Sequence, residues 1–417
     1  MTQQSFYVFA IKIVILGLGF LNTLLVAKML PIFEMGEYIF FISTVMLLCF
    51  FIDFGCNSAF FKSLSFISVL EKTAQVDEKV RLFSFKLTAI LLINVVCIIC
   101  ALSIQKGEIV LFGLASSFLS MQLSSSTVNR AEGAFVRSQV GYELLPNIIR
   151  VVPLGGIWFF NYSVYVGLDE VLFLYVVSLL VPFFYFLFSN LETFKRVSIL
   201  NYDKFMDIIK ANSGLAWVGL LLYAHTQLDV ILLKVFSTEE DVAGYGIANR
   251  LASLFAFSMA VANVLVPSYI GQQLRSMDYL KLKKFVLRFS LLMLIVCCAQ
   301  LLVLIFLGER IMLLWGDAYL TYFTVVLILC LSQAFYMLFG VSSHLLFLGG
   351  RQRVNTITES IGFILNLVAN LLLIPTYGAV GAAVGTAVCL FLVNVIKVIA
   401  AWSCFSRSRL EKGLKGL

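Results

Sequence analysis

Residues 84–127 read SFKLTAILLINVVCIICALSIQKGEIVLFGLASSFLSMQLSSST. Two apolar runs, 84–104 and 109–127, flank the short polar break Gln105-Lys106-Gly107-Glu108. A helix rises about 1.5 Å per residue, so about 20 apolar residues cross a hydrocarbon core about 30 Å thick. Each run has that length, and the break between them leaves room only for a turn. The stretch reads as a helical hairpin through a membrane.

The same reading carried outward predicts further spans near 7–29, 38–58, 142–161, 170–189, 212–234, 243–266, 287–307, 320–341, 357–375 and 380–403, twelve in all. Composition agrees. Of the 417 residues, 61% are apolar and 13% charged, against about 45–50% and about 25% in soluble domains. A soluble fold cannot bury that much apolar surface and cover the rest with so few charges. A cytosolic enzyme, a disordered chain and a secreted disulfide scaffold are excluded. The dyad alternation of an outer-membrane barrel is absent. Residues 1–5 carry no Lys or Arg and the apolar run from Phe6 to Leu30 is long, so the N-terminus is expected to be a first span rather than a cleaved signal.

Charge orients the spans. Twenty-two of the 30 Lys and Arg residues, among them Lys62, Lys79, Arg81, Lys86, Arg130, Arg137, Lys195, Arg196, Arg351 and Arg353, fall in alternate connections and the C-terminal tail. The opposite side holds Lys28, Lys106, Lys234 and Arg310, and Lys12, Arg150, Arg250 and Lys397 fall within spans. This is the positive-inside pattern, so both termini are expected in the cytoplasm. The same asymmetry accounts for the net charge of +7 without a nucleic-acid partner.

An internal repeat appears at an offset of 216 residues: Gly133, Arg137 and Glu143 fall on Gly349, Arg353 and Glu359. Lys28, Gly36 and Tyr38 match Lys234, Gly244 and Tyr245 if small gaps are allowed. The expected architecture is therefore all-α, with two six-helix lobes in parallel repeat, 1–200 and 201–417, around a central cavity.

Ionisable groups inside spans mark function or paired structure. Arg250 and Arg150 lie deepest, and an Arg cannot shed its charge. Lys12 is within span one, and Asp53 is in span two ahead of Phe54-Gly55. Asp229 is in span seven near His225. Glu143 and Glu359 are expected in the first turns of their helices, where a carboxylate suits the helix dipole, and Lys397 is expected to snorkel. Asp53 and Asp229 are read equally as ion pairs or as functional carboxylates. The nine cysteines read as apolar packing residues, Cys97-x-x-Cys100 included. Two distant histidines make no metal site, and no phosphate-binding loop of the nucleotide-hydrolase type is present.

Several segments resemble one family. They are Ala27-Lys28-Met29-Leu30-Pro31 with Gly36-Glu37-Tyr38, Asp53-Phe54-Gly55, and Leu228-Asp229-Val230 with Val242-Ala243-Gly244-Tyr245 and Ala248-Asn249-Arg250. The most specific is Asn366–Thr386, with Asn370 through Pro375 and Tyr377-Gly378-Ala379. Together they resemble the Wzx-type O-antigen flippases of the multidrug/oligosaccharidyl-lipid/polysaccharide (MOP) exporter superfamily. The resemblance implies flipping of an undecaprenyl-pyrophosphate-linked oligosaccharide, an O-antigen or capsule repeat unit, across a bacterial inner membrane. It implies no cofactor, no enzyme activity, and the polysaccharide polymerase machinery as a partner. The residues suit that substrate, because Arg forks match phosphate oxygens and aromatic rings stack on sugars. Candidate substrate-binding residues are Arg250, Arg150, Lys12, Lys28, Asn22 and Tyr245. Candidate coupling or ion-pair residues are Asp53, Asp229, Glu359 and His225. Twelve spans disfavour the fourteen-span lipid II flippases. The absence of an acidic residue from 7–29 disfavours a cation-coupled multidrug exporter, which stays the alternative. A membrane glycosyltransferase or polymerase would need a large outer loop, and the outer connections are short.

Overall fold

The computed structural model describes residues 3–66, 72–104, 108–160, 166–276 and 279–414. Lys106, Lys415 and residue 161 of the expected fifth span lie outside them. The described residues are almost wholly helical and contain no strand. By length and apolarity eight of their helices can cross a bilayer, or nine if the two arms of one bent helix count as a single span. The chain divides into two compact units, Met1–Ile231 and Leu232–Leu417.

Unit 1 is built on α5 (Glu108–Ala131), against which α2 (Ile32–Asp53), α3 (Cys56–Phe66), α4 (Lys72–Ile104) and α8 (Leu168–Ser189) pack. Helix α1 (Gln3–Met29) lies on α7 (Leu145–Phe159). The packed face of α5 is rich in small polar residues: Ser116, Ser120, Ser124, Ser126 and Thr127 are buried. Small side chains let helices approach closely where no hydrophobic effect drives them together. Most of these hydroxyls bond back to carbonyls of their own helix, as Ser124 does to Ser120. The opposite pattern holds on α4, whose Leu92, Val95, Val96, Ile99 and Leu102 are exposed, as side chains facing lipid are.

Between α5 and α7 the chain forms a short helix α6 (Phe135–Gln139) and a π-helical turn, Val140–Leu144. The wider turn misaligns two carbonyls, and the buried Gln122 amide donates to both, Gly141 O at 3.1 Å and Tyr142 O at 3.3 Å. Beyond α8 come α9 (Leu191–Lys195) and α10 (Tyr202–Phe236), whose two arms, Tyr202–Leu221 and His225–Phe236, meet at 63°.

In unit 2, α13 (Phe323–Phe339) packs on α11 (Glu239–Arg275), α12 (Tyr279–Met312) and α15 (Gln352–Leu414), with α14 (Val341–Leu348) also on α15. Helix α15 is two helices in succession, because Gly378 at φ 53°, ψ −133° breaks it. A Cβ on Gly378 would collide with the Asp241 carboxylate. That carboxylate accepts the Ala379 N–H at 3.3 Å and is hydrogen-bonded to Ser237. The break is thus fixed from outside by the first turn of α11.

One expectation about helix starts is corrected. Glu359 lies well inside α15, beyond the first turn in which the dipole acts. Glu143 lies in the first turn of the π segment that continues α6. The repeat also shifts by one residue: the left-handed turn residue is Gly133 in unit 1 (φ 78°) but Gly350 in unit 2 (φ 76°), not Gly349.

Candidate functional site

Two polar centres lie inside unit 1. The first follows from the end of α2. Phe54 and Gly55 both take left-handed conformations, φ 45° and φ 72°, which ends α2 and breaks the chain before α3. Only glycine fits at 55, since a Cβ there would lie 2.6 Å from Ala216 N on α10. The turn leaves Asp53 buried, accepting the Asn57 N–H at 3.2 Å. Lys86 of α4 meets it at 2.5 Å and also donates to Ser120 Oγ at 3.0 Å.

Lys86 is 0% exposed. It is not a loop cation, as its place near the end of an apolar run had implied. The charge asymmetry survives without it. Lys86 is the buried cation that sequence reasoning missed, and its position inside the span boundary at 84 was the available signal. Asp53 is thereby placed in an ion pair rather than left open to an ion.

The second centre runs across α1, α2, α7 and α8. Arg150 shares a face of α7 with Pro146 and Leu154, four residues to either side and both buried. Its Nε donates to Pro146 O at 3.2 Å and its Nη2 to Asn147 Oδ1 at 3.1 Å. The guanidinium carbon lies 5.2 Å from the centre of the Tyr175 ring. Tyr175 in turn meets Tyr38 edge-on at 6.5 Å and Phe41 at 5.9 Å. Asn22 of α1 donates to the Tyr38 hydroxyl at 3.3 Å. Asn22 Oδ1 is buried without a hydrogen-bond partner among the described residues.

Two predicted site residues, Arg150 and Asn22, therefore join one network through Tyr38 and Tyr175, neither of which the sequence had marked for it. Arg150 has no carboxylate within 4 Å among the described residues. It keeps unused N–H donors beside an aromatic surface and an amide oxygen. Such a set binds an anion together with hydroxyl groups.

The remaining candidates in unit 1 do not join that network. Lys12 and Lys28 are exposed on α1. Lys12 acts on Glu143 electrostatically, as does Arg130. Asp229 is buried on α10, and His225, one turn earlier on the same helix, is half-buried. Tyr223 packs on Phe50 at 5.8 Å.

In unit 2, Tyr245 is buried and Arg250 half-buried on α11. Glu359 pairs with Lys397 across the two halves of α15. This corrects the snorkelling expected of Lys397: the residue is buried and its charge is met by a carboxylate. The Asn366–Thr386 segment buries Asn366, Asn370 and Thr386, with Asn370 Nδ2 donating to Asn366 Oδ1 at 3.2 Å. At the start of α11, Lys234 bonds Glu239 at 2.8 Å and holds that carboxyl below its ordinary value. Among the described residues no group of three or more His, Cys, Asp or Glu is placed to hold a metal ion, and the described cysteines are free.

No protein-family model matches the chain. Among curated proteins it is 25% identical, over 409 residues, to the probable low-salt glycan biosynthesis flippase Agl15 of Haloferax volcanii; the match covers 95% of this chain and 82% of that protein. Among solved structures it is similar to the lipid II flippase MurJ in an inward closed conformation, with a TM-score of 0.73 and 14% identity over 97% of this chain and 90% of that one. It is equally similar to an inward-facing multidrug resistance MATE family transporter of the MOP superfamily, at a TM-score of 0.73 and 12% identity, covering 94% of each chain. At these identities the structural likeness concerns the fold. The chain is a multi-pass membrane protein whose fold is similar to those of the lipid II flippase MurJ and of a MATE family transporter.

Proposed function

We propose that this protein flips a lipid-linked oligosaccharide across its membrane. The observation that carries the reading is Arg150: a guanidinium on the packed face of α7, with no carboxylate within 4 Å among the described residues, resting on Tyr175. A charge in that setting is costly unless it serves a ligand or a cavity. A pyrophosphate-linked sugar supplies what the network lacks, anionic oxygens for Arg150 and hydroxyls for Asn22. The glycan-flippase relative, matched along nearly the whole chain, supports the same substrate class.

The specific form we propose is undecaprenyl-pyrophosphate-linked repeat unit, of O-antigen or capsule, moved from the cytoplasmic to the periplasmic leaflet of a bacterial inner membrane. The mechanism is alternating access, with no bond made or broken. Lys12, Lys28, Arg250 and Tyr245 are proposed as further contacts along the substrate's path. Asp229 with His225, one turn apart on α10, is proposed as the ion-coupling pair. Twelve crossings follow if bent α10 counts as one span and α15 as two, and the segment 135–159 and α11 are added, with both termini cytoplasmic.

The test is gene deletion in the host, with surface polysaccharide and lipid-linked intermediates analysed together. Loss of long-chain glycan, with lipid-linked repeat units retained in the cytoplasmic leaflet, is expected. Unchanged glycan together with lost efflux of a cationic dye would establish the alternative, a cation-coupled multidrug exporter, which the MATE likeness supports.

A further inference from the structure

The segment that joins α5 to α7 builds a cleft that neither centre uses. Gly133, at φ 78°, turns the chain after α5. The Ser126 and Ser138 hydroxyls lie 2.7 Å apart, and Gln122 holds the π turn, so the segment is pinned to α5. Between it and the end of α8 lies a cavity of about 560 Å³, lined mainly by carbon from Phe135, Val136, Val140, Leu145 and Tyr185, with Arg137 at its edge. A second cavity of about 210 Å³ shares Arg137, Gly141 and Tyr185 and adds the polar side chains of Gln122, Asn129 and Asn190.

Charge and position select an occupant. The Arg137 side chain is exposed and has no ion-pair or hydrogen-bond partner among the described residues. Glu132, which also borders the smaller cavity, is already engaged by Lys79. The local field is therefore cationic. Phe135, Phe184, Tyr185 and Phe188 around the cleft are exposed apolar side chains, as expected of a face in contact with hydrocarbon. Lys79, Arg130 and Arg196 occupy the same end of the unit, so the cleft opens where acyl chains meet headgroups. Its volume is in the range of small-molecule sites, about 300–1,000 Å³.

We propose that this cleft seats one anionic phospholipid of the surrounding bilayer, with its phosphate on Arg137 and an acyl chain along Phe135, Val140 and Leu145. The apolar wall excludes water and admits hydrocarbon from the adjoining leaflet. Arg137 supplies the selection for an anionic headgroup. Gly141 offers a way to fill the site: a Cβ built on it meets nothing within 4 Å. A larger side chain there enters the cleft without pushing on the backbone.

The test is native mass spectrometry of the purified full-length protein, titrated separately with phosphatidylglycerol, phosphatidylcholine and undecaprenyl phosphate. One retained phosphatidylglycerol is expected. Arg137→Gln should weaken its binding about five-fold, the effect of one cation near an anionic headgroup, and leave phosphatidylcholine unchanged. Gly141→Phe should weaken both lipids, and Arg137→Lys should keep most of the preference. Thermal unfolding of each variant checks that it folds, and Gly141→Leu replaces Gly141→Phe if the larger side chain does not. Unchanged phosphatidylglycerol binding in Arg137→Gln, or an equal loss of both phospholipids, overturns the proposal. So does displacement of phosphatidylglycerol by undecaprenyl phosphate, which would give the cleft to a substrate carrier. Displacement by millimolar inorganic phosphate would overturn it too, since the acyl contact would then contribute nothing.

Discussion

Lys86→Met offers the sharpest test of how unit 1 is held together. The lysine is fully buried, its ammonium 2.5 Å from Asp53 and 3.0 Å from Ser120 Oγ. Methionine keeps nearly the same length and volume, so packing is preserved and the charge alone is lost. Asp53 is then left buried with the Asn57 N–H as its one hydrogen-bond donor among the described residues. Removing one partner of a buried pair costs about 3–5 kcal/mol, most of it the penalty of the stranded charge. Adding Asp53→Leu removes that charge, and a well-packed apolar replacement is about neutral. What remains in the double variant is the Ser120 hydroxyl without its donor and the Asn57 N–H without its acceptor, about 1 kcal/mol each. The double variant is therefore expected to be about 1–3 kcal/mol more stable than Lys86→Met alone. Equilibrium unfolding of the purified protein in detergent measures all three. A cost below about 1 kcal/mol for Lys86→Met, or a double variant whose loss is the sum of the singles, would refute a buried pair.

Other outcomes follow from the same structure. Gly378→Ala should cost about 1–3 kcal/mol in unfolding assays, because an L side chain is strained at that backbone conformation; Asp241→Ala in the same chain should relieve part of the loss by removing the collision. Arg150→Ala should abolish glycan flipping while the protein still reaches the membrane, and Arg150→Lys should not restore it, since an ammonium cannot fork onto two phosphate oxygens while lying on a ring. A cell-surface glycan assay reads both. The Glu239 carboxyl is depressed by Lys234, so this pair's stabilisation is full above the ordinary value of 4.5 and drains as pH falls through the lower, folded-state value. Lys234→Ala should therefore lower the unfolding midpoint at pH 7, with a difference that shrinks as the pH falls below 4.5.

Much of the fold was legible because the signals are local. Hydropathy is a sum over about 20 neighbouring residues, so α2, α4, α5, α8, α12 and α13 could be placed from their own composition. Tyr377-Gly378-Ala379 fell in the gap between two expected spans and marks the break of α15 at a left-handed glycine, whereas the expected span 38–58 ran across Asp53-Phe54-Gly55, where α2 ends. The candidate site was legible only in part. Arg150 and Asn22 stood out because they are polar within spans, whereas Tyr38 and Tyr175 did not: an aromatic residue in a span looks the same whether it faces lipid or a guanidinium.

By itself, then, the amino-acid sequence determined that the chain is a bundle of apolar helices long enough to cross a membrane, separated by connections rich in Lys and Arg. Tertiary structure decided which charges meet. Lys86 and Arg150 are both cations at or within span limits, yet Asp53 and Ser120 neutralise the first while Tyr175 and Asn147 leave the second with donors to spare. Helix rotation makes that difference: about 100° per residue turns adjacent positions toward different neighbours. The facing direction is fixed only when the small residues of α5 draw α2, α4 and α8 into contact.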